Sequence, residues 1–270
     1  MSDAQNEVKY LVFDVEAVPD VGLIKDVKFP SENLSDEEAI RKFKDEMLEI
    51  TDGRSDFIPV TFMKPVSVVI AKILNDFTIK EIVSLDEPEF KVEIMTKRFW
   101  FALEDLYPKA AIVTFNGRGF DVPLLELMAY RYGIQMKTHF NDKFGTRQRY
   151  GTRHIDLQEL LSNNHAIKMA GGLNLLSKVL GLPGKMDTDG SQVYDMYVEG
   201  KMKEINDYCI CDVLDTYFVF LRSRVLIGKI TLEQEAAVKD RVKEFLNEKK
   251  GEIDILNKYL EIMKDGSPYL

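Results

Sequence analysis

The chain has 270 residues, 45% of them apolar, which suits one large folded domain or one domain with an appendage. Its 36 basic and 45 acidic residues leave a net charge of −9, and 30% charged with 10% aromatic residues is a globular composition, not a disordered one. Lys72, Arg222 and Arg224 interrupt the most apolar stretches well short of the ~18 residues of a membrane helix. The polar start is not that of a secretory signal, and two cysteines exclude a disulfide scaffold, so a cytoplasmic protein is expected.

Tyr10 to Val15 (YLVFDV) reads as a short strand buried on both faces. Ser35 opens a capping box with Glu38, and a helical pattern runs from there to about Ile50. It lies within Asp20 to Pro65, a polar acidic segment that could be a lid or mere decoration. Thr51 to Pro65 is turn-rich, and Val66 to Leu74 with Phe77 to Val83 predicts a hairpin around Asn75-Asp76. Glu89 to Leu106 is a helix closed by Pro108. Ala110 to Phe115 is a second buried strand, followed by a turn at Asn116-Gly117 and a helix from Asp121 to Tyr132. Leu173 to Leu180 is an amphipathic helix ended by Gly181, and Lys203 to Leu226 is one long helix. Two further amphipathic helices, Thr231 to Glu248 and Ile253 to Met263, follow Gly228. The order predicts an α/β fold, a mixed sheet flanked by helices over 1–228, with a helical extension over 229–270. That extension would pack on the domain or mediate self-association.

Three places carry carboxylates. Asp14 and Glu16, two apart at the end of the first strand, share a face. Like charges so close resist ionising together, and a divalent metal is their natural partner, although a solvated strand end has the same pattern. Asp121 follows the glycine-rich turn Asn116-Gly117-Arg118-Gly119-Phe120, which would let another chain approach the backbone; it would be a third carboxylate or an N-cap. Tyr208 and Asp212, four apart, share one helical face, as a surface pair or as part of a site. Cys209 and Cys211 read as small buried hydrophobes.

Charge is unevenly placed. Residues 1–60 hold fifteen acids against seven bases, whereas Arg131 to Arg153 holds six bases against Asp142 alone. Arg147, Arg149 and Arg153, interleaved with Phe140, Phe144 and Tyr150, would track phosphates and stack bases, or form a solvated loop. Arg118 is a candidate phosphate contact. Lys168, Lys178 and Lys185 are contacts or solvated lysines, Phe13 and Phe120 wedge against a base or belong to the core, and Asp156 supports the site or caps the next helix.

Taken in order, Phe13-Asp14-Val15-Glu16, Asn116 to Leu125 (NGRGFDVPLL), His154-Ile155-Asp156-Leu157, Gly181-Leu182-Pro183-Gly184-Lys185 and Tyr208-Cys209-Ile210-Cys211-Asp212-Val213 resemble the proofreading 3′–5′ exonuclease (DEDD) superfamily. The likeness spans Val8 to Arg224 and is nearest to stand-alone predicted exonucleases related to the exonuclease domain of family-B DNA polymerases. It implies a ribonuclease H-like fold, with Asp14, Glu16, Asp121 and Asp212 as ligands of two divalent ions, Mg²⁺ or Mn²⁺. Such ions, ~3.5–4 Å apart and bridged by Asp14, would activate water and neutralise the leaving 3′-oxygen. The sister subfamily has histidine five residues before its last aspartate. Asp207 stands there, so the tyrosine type is implied, with Tyr208 orienting the water. The implied substrate is a single-stranded 3′ end, DNA before RNA, with Asn116, Arg118, Phe120, Arg147, Arg149 and Arg153 as candidate contacts. The alternative is a catalytically silent nucleic-acid-binding module of the same fold.

Overall fold

Leu11, Phe13 and Val15 face one side of the first strand and Val12 the other, all nearly inaccessible to water, in a computed structural model that describes residues 7–149, 151–186 and 190–265. Tyr150, counted above among the interleaved aromatics, lies outside those residues. Strand β1 runs Val8–Pro19, β2 Met63–Leu74, β3 Ile79–Ser84, β4 Ala111–Thr114 and β5 His154–Asp156. They form one sheet in the order β3-β2-β1-β4-β5, in which β2 is antiparallel to its neighbours and β1, β4 and β5 are parallel. With helices on both faces, this is the mixed α/β, ribonuclease H-like arrangement expected.

One face is covered by α1 (Val21–Lys28), α2 (Asp36–Ile50), α3 (Val92–Phe101) and α4 (Asp121–Tyr132). Phe43, Phe99, Trp100 and Leu125 from these helices meet Phe13 in one apolar cluster. At ~1.5–3 kcal/mol for each large apolar side chain withdrawn from water, this layer offsets the cost of polar groups buried nearby. Thus Asp20 to Pro65, left open as lid or decoration, packs into a helix layer: Ile24, Ile40, Phe43 and Ile58 are core. Asp20 caps α1 and pairs with Arg131 at 2.5 Å.

The opposite face meets α9 (Met202–Leu226), which is apolar nearly all round because it is enclosed nearly all round. Outside it lie α7 (Gly172–Val179), α10 (Leu232–Lys249) and α11 (Ile255–Asp265). The segment 229–270 was expected as an extension, and its Val242, Leu246, Leu256 and Tyr259 share a core with α9. The Tyr259 hydroxyl donates to the buried carboxylate of Asp215 on α9 at 2.7 Å. Burial pushes Asp215 up to about 6, and the tyrosine's hydrogen bond opposes that rise. Tyr259→Phe is expected to cost ~1–3 kcal/mol in urea unfolding near pH 7, because it removes one of the hydrogen bonds that, with those from Ser177 and the Gly184 backbone, satisfy a buried carboxylate.

Short helices α5 (Lys137–Asn141), α6 (Leu157–Leu161) and α8 (Val193–Val198) complete the chain. Among the described residues no helix is long and apolar enough to cross a membrane. Several boundaries differ from the expected ones; β2, for one, starts at Met63 and not at Val66. β1 extends to Pro19 because β2 pairs with it that far, so Asp14 and Glu16 lie within the strand and not at its end. β3 starts at Ile79 because Phe77 adopts a left-handed φ of 68° and the Asp76 carboxylate accepts from the Thr78 amide at 3.1 Å. The helix expected over Glu89 to Leu106 is α-helical only from Val92, and its last turn, Ala102–Leu106, widens into a π-helix.

Candidate active site

Pairing between β1 and β4 ends at Val12 and Val113, while β1 continues beside β2. Past that point β1 has one free flank, and Asp14 and Glu16 lie there on the Val12 side, facing α9. Glu16 is buried, whereas Asp14 keeps partial contact with solvent. The Asp14 and Glu16 side chains share a hydrogen bond.

Asp121 arrives from β4 through a tight turn. Asn116 adopts a left-handed φ of 63°, and its amide and that of Arg118 donate to the Asp156 carboxylate at 3.1 and 3.0 Å. Asp156 also caps α6, accepting from Gln158 and Glu159 amides at 3.0 and 3.2 Å, so it serves both of the roles left open for it. Gly117 is required for a reason other than the expected one. A Cβ there would lie 2.5 Å from the Thr114 side chain, so the space is taken by this chain and not kept for another. Gly117→Ala is expected to lose ~1–3 kcal/mol of stability by overpacking, read by urea unfolding, and to lower activity by displacing Asp121. The N-cap alternative for Asp121 does not hold: Phe120 is the N-cap of α4, without a side-chain bond, and Asp121 turns inward, where the Val15 backbone bonds its carboxylate.

Tyr208 and Asp212 come from one face of α9, their side chains hydrogen-bonded to each other. The four acids feel one another across these elements. Burial, and then the Asp121 charge, push Asp14 up to about 8. Burial dominates the rise of Asp121 to about 7, with Asp156 and Asp212 adding repulsion. Glu16 is held well above the carboxylate range by burial and by Asp14, Asp212 and Asp121, and Asp212 by burial, Asp14 and Asp215. Lys185 opposes that repulsion at Asp212 and is the weakest of the influences named there. Burial and the neighbouring carboxylates raise the Tyr208 hydroxyl far above its ordinary value, so it keeps its proton.

A support not foreseen from sequence lies behind Asp14. The Ser67 hydroxyl donates to Asn206 Oδ1 at 2.9 Å, and Asn206 Nδ2 donates to Ser84 Oγ at 2.9 Å, which ties β2, β3 and α9 together. Ser67 is also bonded to the Cys209 thiol, which lies 3.4 Å from the Asp14 carbonyl and 3.8 Å from its Oδ2. Donor atoms of Asp14, Glu16 and Cys209 all lie within 4.8 Å of one another. The thiol is held well above its usual pKa by burial and then by the two acids, so it stays protonated, a weak donor to Asp14 and no thiolate ligand. The sequence signal for this support is Asn206 itself, a polar residue on an otherwise apolar helix face.

The proposed nucleic-acid contacts are spread more widely. Asn116 is exposed, and Phe120 is half-buried, 6.0 Å from the Phe57 ring. Arg118 turns toward β5, pairing with Glu159 at 3.1 Å and donating to the His154 carbonyl at 2.9 Å. Arg147 pairs with Glu126 at 3.0 Å and stacks on Phe140. Arg149 is exposed, 3.7 Å from Glu159, and Arg153 is held by Asp142 at 3.1 Å and by the Pro108 carbonyl. Phe13 is core, and Lys178 donates to the Pro183 carbonyl. His154 is buried and neutral, 2.9 Å from Thr114 Oγ1.

Asp14 and Glu16, hard-oxygen groups within 4.8 Å of each other and forced toward protonation, fit a divalent cation, and Asp121 and Asp212 are near enough for the acids to feel one another's charge. Fold and site together define a ribonuclease H-like protein with a buried acidic centre. The chain belongs to the family described as predicted 3′–5′ exonuclease related to the exonuclease domain of PolB, whose model matches residues 55–263. That match contains Asp121, Tyr208 and Asp212 and extends through α10 into α11, while Asp14 and Glu16 lie ahead of it. No curated protein matches the chain.

Proposed function

We propose that the protein is a metal-dependent 3′–5′ exonuclease of the tyrosine type, hydrolysing single-stranded nucleic acid from its 3′ end to nucleoside 5′-monophosphates. DNA is preferred over RNA as substrate, in keeping with a family related to a DNA polymerase's exonuclease domain. The observation that carries this reading is the convergence of Asp14, Glu16, Asp121 and Asp212, from three distant places in the chain, on one another's charges. Asp14, Glu16, Asp121 and Asp212 would hold a pair of divalent cations, which would acidify a water and neutralise charge on the departing 3′-oxygen.

The protein's own groups do the rest. Because Tyr208 keeps its proton and shares a hydrogen bond with Asp212, it cannot act as base; its phenolic oxygen can accept from a water and fix that water's direction of approach. The Val15 backbone and the Ser67–Cys209 pair hold Asp121 and Asp14 from behind. An unpaired end costs least to bring in, since the last nucleotide must leave its stack to reach buried acids. Retention of all four acids speaks against a silent binding module. With Mg²⁺ or Mn²⁺, a 5′-labelled single strand is expected to yield a ladder shortening from its 3′ end and mononucleotide product. Background degradation alone, identical for wild type and Asp14→Ala, would reject the reading.

A further inference from the structure

Arg224 sits in an unusual place for a charge. It lies near the C-terminal end of α9, is 7% exposed and stacks its guanidinium on Phe220, 4.7 Å from the ring centroid. Its Nε and Nη2 both go to Ser223 Oγ, at 3.3 and 3.1 Å, and among the described residues no carboxylate pairs with it. A partly desolvated cation without a counter-ion is unfavourable unless an anion completes it.

The guanidinium lines a groove of about 550 Å³ between the start of β1, the approach to β4, β5 and the end of α9. Lys9, Lys109 and Lys229 stand on its walls, exposed and without ion pairs among the described residues, and Arg153 and Arg149 border it. The acids in those walls are engaged: Asp156 by backbone amides, Glu159 by Arg118 and Arg149. Arg118, Arg149, His154 and Glu159 are shared with a neighbouring cleft of about 450 Å³, which reaches Gly119 and Val122 on either side of Asp121. The groove is therefore contiguous with a cleft that borders the turn carrying Asp121, in which Arg118 and Arg147 are already paired with Glu159 and Glu126. Arg224 follows Asp212 by twelve residues of helix, ~18 Å at ~1.5 Å per residue.

We propose that this groove binds the phosphodiester backbone of single-stranded nucleic acid several nucleotides 5′ of the end presented to the four acids. Its polarity along the strand rests on the nuclease reading; its chemistry does not. A row of separated cations suits a chain of phosphates, whereas one small anion would be met by two or three converging groups.

The test uses the full chain, in chelator, with labelled oligothymidylates of 4 and 16 nucleotides. Reversing three exposed charges (Lys9→Glu, Lys109→Glu, Lys229→Glu) avoids the folding risk of replacing buried Arg224. The 16-mer is expected to bind at least ~10-fold more weakly, its log Kd against log salt slope shrinking by about 2, at ~0.7 per lost contact. Binding of the 4-mer, and its Mn²⁺-dependent cleavage, should not change. Unchanged 16-mer affinity and slope would overturn the proposal. So would inorganic pyrophosphate binding that Arg224→Gln removes, if 4-mer and 16-mer bind equally well, since the groove would then hold a small anion. If wild type cleaves nothing with either metal yet the length-dependent binding is lost in the triple variant, the nuclease reading fails and the groove stands.

Discussion

Asp212→Asn is expected to lower kcat for 3′-end hydrolysis by at least ~10³-fold while leaving the fold intact. Asparagine keeps the shape of the side chain and a hydrogen-bonding oxygen for Tyr208, but it removes one of four charges that hold the cations. Tyr208→Phe removes only the hydroxyl that directs the water and is expected to cost far less, about 10–100-fold, the scale of losing an orienting partner. The contrast separates ligand from positioning group. Both variants should bind the 16-nucleotide strand as wild type does, because the basic groove lies a dozen residues along α9. Single-turnover rates at saturating Mn²⁺ provide the check. If Asp212→Asn stays within ~10-fold of wild type, the carboxylate cluster is not the reaction centre. The same variant relieves repulsion among buried acids, so in chelator at pH 8 it should melt above wild type, which also shows that its inactivity is not unfolding.

Much of this site is legible in the chain because its acids sit on long, regular elements. The apolar run before Asp14, the turn residues before Asp121 and the four-residue spacing of Tyr208 and Asp212 each fix a face before any tertiary contact is known. The first strand's true end was not legible, since Pro19 is held by pairing with Met63 in a strand some forty residues away. β5 is three residues long, too short for alternation to register, and β3 begins late because a phenylalanine accepts a left-handed turn that sequence assigns to glycine. The basic segment Arg131 to Arg153 accounts for only part of the groove, which Arg149 and Arg153 border. Arg131, Arg147 and Arg153 are tied to Asp20, Glu126 and Asp142, and beside Arg149 and Arg153 the groove collects Lys9, Lys109, Arg224 and Lys229 from three other stretches of the chain. Local charge counts see runs, and a folded surface assembles its field from fragments.

Without divalent cations, the protein is expected to lose stability as pH rises from about 4 toward 8. The sign follows from the direction of the shifts. Unfolded carboxyl groups titrate near ~4, whereas in the fold Asp121 titrates at about 7 and Asp14 at about 8, with Glu16 and Asp212 also raised. The folded chain thus holds more protons across that window, and stability falls wherever the native state binds more protons than the unfolded one. The stabilising protonated state is complete below the unfolded range and gone above the folded values, a loss of several kcal/mol for the coupled set. Glu126 and Asp76, whose carboxyls are lowered by hydrogen bonds and charge from His139 and Arg147 and from Thr78 and Arg241, act the other way in acid. The melting temperature in chelator should therefore peak in mild acid. Mg²⁺ or Mn²⁺ needs the same carboxylates ionised, so the gain in melting temperature on adding metal should be small at pH 5 and large at pH 8, worth ~2.7 kcal/mol at a hundredfold excess over Kd. Asp14→Asn should flatten the chelator curve and shrink the metal-induced gain. Asp215, buried against Tyr259 and titrating at about 6, would leave a residual slope in that variant. Scanning calorimetry from pH 5 to 8, with and without Mn²⁺, gives both curves. A metal-induced shift equal at both ends of that range would mean that the four acids do not face one another in solution.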